Sequence, residues 1–216
     1  MPGTLTDELE ILHSGHGGGT DVPAGGDGDN SRGGLPAVPR RVYFTAVQLA
    51  LAGIVMFFMA LTSSFLVRKG LGNDWVSFDL PRILWANTLV LLASRVSIQM
   101  ARNALSHGDR AGFRRFWALT TGLGFLFLAG QLVAWHQLAV QGVFLATNPS
   151  SSFFYLLTAA HGAHLLGGIV SLLYVSFRNW DRSRIDQPTA AALSSIYWHF
   201  MDGLWLFLFA LLSLGR

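Results

Sequence analysis

The amino-acid sequence predicts an all-α protein: a polytopic membrane bundle of five transmembrane helices behind a disordered N-terminal tail. Three observations carry that prediction. Of 216 residues, 51% are hydrophobic and only 12% are charged, against about a quarter charged in soluble domains. The apolar residues fall in runs long enough to cross a hydrocarbon core of about 30 Å. Six of the twelve carboxylates, Asp7, Glu8, Glu10, Asp21, Asp27 and Asp29, sit in the first 29 residues, where no apolar face exists to bury. The chain has no cysteine, so disulfide frameworks, thiolate metal sites and cysteine nucleophiles are excluded.

Residues 1–40 are rich in Gly, Asp, Ser and Pro, with Gly17-Gly18-Gly19 and Gly25-Gly26, a composition that remains disordered because it buries little apolar surface. The acidic start lacks the basic-then-apolar order of a secretory signal. The first long apolar run, 43–67, follows Arg40-Arg41 and is read as a retained span. A polar connection containing Gly70, Gly72 and Pro81 leads to a second span at 83–101, apolar apart from Arg95, Asn87, Gln99 and small hydroxyl residues. After four loop arginines, residues 116–177 contain no Asp, Glu, Lys or Arg at all. That length demands two spans, and Asn148-Pro149-Ser150 is the turn signal dividing them into 116–140 and 151–177. A charged stretch then precedes a fifth span at 191–214, interrupted by His199 and Asp202.

Basic residues set the orientation. With alternating sides, Arg32, Arg40, Arg41, Arg102, Arg110, Arg114, Arg115, Arg178, Arg182 and Arg184 share one side, against Arg68, Lys69, Arg82 and Arg216 on the other. The excess places the N-terminus in the cytoplasm and the C-terminus outside. Topology therefore accounts for the apparent pI of 9.8, and a nucleic-acid partner is not expected. Trp75, Trp85, Trp117 and Trp180 lie near span ends, where an interfacial aromatic belt is expected.

Polar groups inside a membrane are costly and therefore informative. In the fourth span Thr158, His161, His164 and Gly168 recur at spacings of three and four and share one face. In the fifth, Tyr197, His199 and Asp202 fall within two turns. Arg95, His164, His199 and Asp202 lie at similar depths, about 10 to 18 Å from the cytoplasmic end. The expected role is a structural hydrogen-bonding cluster, with Arg95 paired to Asp202 directly or through His199 or water. A proton or ion pathway and a His-ligated haem or metal are the competing readings; the expectation is no catalytic, cofactor or metal residue. Ala159, Ala163 and Gly167 make a small-residue stripe which, with Gly168, is expected to pack helices closely.

Two motifs resemble subunit III of the haem–copper terminal oxidases, the cytochrome c and quinol oxidase family. They are Phe153-Phe154-Tyr155-Leu156-Leu157-Thr158-Ala159-Ala160-His161-Gly162-Ala163-His164-Leu165-Leu166-Gly167-Gly168 and Tyr197-Trp198-His199-Phe200-Met201-Asp202-Gly203-Leu204-Trp205. Asn87-Thr88, Ser94, Leu123-Gly124, Phe127 and Gln131 are supporting echoes. The resemblance implies a five-span subunit of the bacterial inner membrane with no redox centre of its own, haem and copper being held by partner subunits. It also implies packing against subunit I, association with subunit II and further subunits, bound phospholipid, and support of proton uptake and oxygen access during oxygen reduction, with cytochrome c as the donor. The chain departs from the family pattern where Leu51-Ala52-Gly53-Ile54-Val55 and Gln131-Leu132-Val133-Ala134-Trp135-His136 lack the carboxylates often found there, and where Arg95 replaces a small or neutral residue. Such departures suit a divergent branch, the offshoot associated with nitric oxide reductases included. The alternative function is a free-standing transporter or haem-binding membrane protein using His161, His164 and His199.

Overall fold

The computed structural model describes residues 39–71, 82–143, 148–178 and 186–214. The expected tail at 1–40 lies almost entirely outside them, as do Trp75 and Trp180. The described residues form five helices: α1 (Arg40–Leu71), α2 (Ile83–Ser106), α3 (Arg110–Val140), α4 (Pro149–Phe177) and α5 (Gln187–Leu214). Each is long and apolar enough to cross a membrane. Several run past the apolar cores read from sequence, because flanking polar residues still find helical hydrogen bonds at the membrane edge. Thus α3 starts at Arg110, where the Asp109 side chain accepts the Gly112 N–H at 2.9 Å. The α2–α3 turn passes through Gly108 at φ 75°, and α3 ends before Gly142 at φ 78°, a left-handed conformation that favours glycine. Pro149 opens α4, where its missing N–H costs no helical bond.

Helices α2, α3, α4 and α5 form a closed ring in which each packs on the next and α5 returns to α2. Helix α1 lies outside the ring, against α4 and α5 only among the pairs with substantial contact. The ring is laced by indole N–H groups that reach a neighbouring helix. Trp198 Nε1 donates to Ser94 Oγ at 2.9 Å and Trp205 Nε1 to Thr88 Oγ1 at 3.1 Å, both joining α5 to α2. Trp117 Nε1 donates to the Leu172 carbonyl at 2.9 Å and Trp135 Nε1 to Thr158 Oγ1 at 3.1 Å, both joining α3 to α4. The accepting hydroxyls donate in turn to their own helices, Thr88 to Leu84, Ser94 to Leu91 and Thr158 to Phe154. Every polar atom of these three clasps is thereby satisfied, as a water-poor interior requires.

Glycines let the Trp198 indole in. A Cβ at Gly124 would lie 2.7 Å from Trp198 Cη2, and one at Gly168 would lie 3.1 Å from Tyr197 Cε1 and 3.3 Å from Trp198 Cε3. Gly130 is closed by the Asn87 side chain in the same way. Trp117 is 1% exposed, which overturns its assignment to an interfacial belt: its indole is part of the ring core, tied to a carbonyl on α4. Trp85 keeps the expected place, 65% exposed at the start of α2 with its ring edge-on to Phe209.

Candidate functional site

The intramembrane polar residues occupy three separate surroundings. His161 is 0% exposed in the ring centre, with its imidazole 5.1 Å from Trp205 and 5.9 Å from Phe127, centroid to centroid. Neither ring nitrogen has a hydrogen-bond partner among the described residues. Also buried in the ring are Gln131, both ends of whose amide lack a partner among the described residues, and Asn87, whose Nδ2 lacks one and whose side chain lies against Gly130. Gln131 is bracketed on α3 by Phe127, which touches His161, and by Trp135, which clasps Thr158. Since Thr158 and His161 are one turn apart on α4, the Gln131 side chain belongs to this same level.

His164, three residues from His161, turns to the outside of the ring. Its Nδ1 lies 2.7 Å from its own helix's Ala160 carbonyl, and its ring contacts Phe57 and Phe58 of α1 at 5.9 and 5.5 Å. A turn of three residues rotates the side chain by about 60° off the starting line, enough to move it from the core to the α1 contact. Tyr197 caps the same region by donating its hydroxyl to the His164 carbonyl at 2.8 Å.

Asp202 is 1% exposed, and neither carboxylate oxygen has a hydrogen-bond partner among the described residues. His199, one turn before it on α5, is half-buried with Nδ1 unpartnered. Arg95 lies on the exposed side of α2. Its charge is within electrostatic reach of Asp202 and His199, but the expected direct Arg95–Asp202 contact is not made. The geometric reason is visible along α5. Trp198 and Trp205, four residues before Asp202 and three after it, fill the α2–α5 interface by clasping Ser94 and Thr88. Asp202 lies between them on the same α5 face, while Arg95, adjacent to Ser94 in sequence, is exposed on α2.

The small-residue stripe also divides. Gly168 is buried against Tyr197 and Trp198, whereas Ala159, Ala163 and Gly167 are exposed on the outer side of α4. A close approach of α5 is made at Gly168, while a Cβ at Gly167 would lie 3.7 Å from the Tyr197 hydroxyl. Sequence reasoning treated Asn87 and Gln131 only as echoes of a family pattern. Their polarity inside apolar spans is the sequence signal for their burial.

Among the described residues no three His, Asp or Glu side chains converge as metal ligands would. The three imidazoles face an aromatic core, a neighbouring helix and the α2 side of α5 respectively. His161 is closely enclosed by Phe127 and Trp205.

A sequence profile of cytochrome c oxidase subunit III matches residues 42–214. A protein of Nocardia farcinica named probable cytochrome c oxidase subunit 3 is 32% identical over 172 residues, covering 77% of this chain and 84% of the relative. One of Mycobacterium bovis with the same name is 30% identical over 190 residues, covering 86% and 91%. Cytochrome c oxidase subunit 3 of Thermostichus vulcanus is 32% identical over 165 residues, covering 73% and 79%. The match spans all five helices, including the clasped pairs of the ring and the α1 that rests on it. The chain belongs to the cytochrome c oxidase subunit III family, is a multi-pass membrane protein of the bacterial kind, and is part of a terminal oxidase complex.

Proposed function

We propose that this chain is the non-catalytic subunit III of a respiratory haem–copper oxidase, stabilising subunit I, binding lipid, and supporting proton and oxygen supply while cytochrome c delivers electrons to other subunits. Haem and copper belong to those partners and not to this chain. The observation that carries the reading is the use of the intramembrane polar groups. Indoles, hydroxyls, Tyr197 and His164 are spent on helix-to-helix or helix-to-backbone hydrogen bonds, the pattern of a scaffold. Meanwhile Arg95 and the Ala159, Ala163, Gly167 stripe face outward, where a partner's transmembrane helices would meet them. Subunit I is the main expected neighbour, with subunit II and other subunits beyond it.

The N-terminus lies in the cytoplasm and the C-terminus outside the inner membrane in this proposal. The excess of arginine at the end shared by the start of α1, the α2–α3 turn and the end of α4 supports it. The test is affinity purification of the full chain from its own membranes in mild detergent. Co-purification of a haem–copper subunit I is expected, together with no Soret band from the chain isolated alone. A Soret band travelling with the isolated chain, or isolation without any oxidase subunit, overturns the proposal.

A further inference from the structure

At the arginine-rich end, the start of α3 and the end of α4 enclose a groove of about 390 Å³. Its mouth carries Arg114 and Arg178, both exposed. Its wall is apolar and aromatic, with Phe113, Trp117, Ala118 and Leu173. The Trp117 indole is buried and fixed by its bond to the Leu172 carbonyl, so the groove is preformed. The lining residues on α3 run from Phe113 to Thr121, and at about 1.5 Å per residue the groove descends roughly a third of the way into a hydrocarbon core. Cationic at the mouth and apolar in depth, it has the profile of a single membrane lipid.

Charge selects the kind of lipid. Arg40, Arg41, Arg102, Arg110, Arg114, Arg115 and Arg178 are the described cations of this end, and Asp109 and Asp186 its described carboxylates. Both carboxylates are engaged as helix caps, Asp109 by the Gly112 N–H and Asp186 by the Thr189 hydroxyl and N–H. Arg178 lies over the Tyr174 ring, 5.3 Å from its centroid. Basic pockets between membrane helices on the cytoplasmic side suit anionic headgroups, and guanidinium forks match phosphate geometry. We infer that this groove binds one anionic phospholipid. Its phosphate lies between Arg114 and Arg178, and an acyl chain follows Phe113, Trp117 and Leu173. This deepens the lipid-binding reading above and rests on it for the ligand class. The site lies within the ring, between α3 and α4, and not where α1 meets the ring.

The test is native mass spectrometry of the full chain in mild detergent, exposed to phosphatidylglycerol or to phosphatidylcholine. Retention of phosphatidylglycerol is expected to exceed that of phosphatidylcholine about thirtyfold, as two arginines near a headgroup predict. The preference is expected to vanish in R114Q/R178Q and to persist in R110Q/R115Q, which removes the same charge from the same end without touching the groove. Equal loss in both double variants would show diffuse attraction and overturn the site, as would no preference in the unaltered chain. Full displacement by millimolar inorganic phosphate would overturn it in favour of a bare anion site. A photoactivatable phosphatidylglycerol on the unaltered chain gives a readout free of folding defects: labelling is expected within 113–121 and 173–178, and labelling confined elsewhere refutes the site. Lipid retained equally by every variant sinks this groove while leaving lipid binding intact. Co-purification with subunit I is read separately and judges only the scaffold role.

Discussion

Helix α1 and the four helices of the ring are all long and apolar enough to cross a membrane, yet they are held in different ways. Helix α1 is 32 residues long but buries only Phe58, Thr62 and Phe65 along its length. It meets the ring through rings against rings, Phe57 and Phe58 on His164 and Phe65 on Phe153. The helices of the ring instead interlock, with indoles ending on hydroxyl or carbonyl groups of the next helix and that of Trp198 entering space kept open by glycine. The difference shows what stabilises helix association where lipid is as apolar as the protein interior. Close packing and internal hydrogen bonds decide it, and apolar area alone does not.

The comparison is broken most strongly by emptying the ring. Trp198→Ala removes an indole that fills the space beside Gly124 and Gly168 and leaves the Ser94 hydroxyl bonded only to the Leu91 carbonyl of its own helix. A loss of about 3–5 kcal/mol is expected, read as a fall in melting temperature of the purified complex or failure to assemble. Retention of full thermal stability would show that the clasp is not what holds α5 to α2.

Overfilling sharpens it further. Gly124→Ala places a methyl 2.7 Å from Trp198 Cη2 and is expected to destabilise by about 1–3 kcal/mol. The same change at Gly53 of α1 meets nothing within 4 Å, and stability is expected to stay within about 0.5 kcal/mol. Thermal melts of the two variants side by side distinguish ring from periphery; equal effects would erase the distinction.

Asp186 caps α5, and the Thr189 hydroxyl hydrogen bond holds its carboxyl below the ordinary carboxylate range, with Arg40 of α1 a smaller contributor. Because the folded pKa is depressed, the cap's contribution is complete above the unfolded carboxylate pKa and is lost as pH falls through the lowered value. Asp186→Ala is expected to cost about 1 kcal/mol at neutral pH. Melts at neutral and strongly acidic pH should show the unaltered chain and the variant converging on the acidic side. A constant gap across that range would rule out the carboxylate as the cause.

The smallest effect isolates one clasp. In a double-mutant cycle of Trp205→Phe and Thr88→Val, a coupling of about 0.6 kcal/mol is expected, the mean for hydrogen bonds between membrane helices. Coupling indistinguishable from zero would mean that the indole matters for its volume only.

How much of this was legible in advance follows the physics residue by residue. Five helices were readable because bilayer thickness sets a minimum apolar length, and because Asn148-Pro149 must break the uncharged stretch from Phe116 to Phe177. The polarity of His161, Thr158 and Asp202 inside those spans marked them as interior residues, and they are buried. Which way the remaining residues face was not legible. In a soluble helix the polar face reports the solvent side, but in a membrane both lipid and protein interior are apolar, so the pattern carries no such contrast. Trp117 could stand at an interface or in a core, and the Leu172 carbonyl on another helix decided for the core. Arg95 and Asp202 had matching depth along their helices, yet depth says nothing about rotation, and Arg95 is exposed where Asp202 is buried. The sequence by itself determined the number, length and membrane character of the helices, because hydrocarbon thickness and backbone hydrogen bonding act locally along the chain. Only the tertiary structure decided which faces meet, because that depends on glycine gaps and hydroxyl acceptors supplied by other helices.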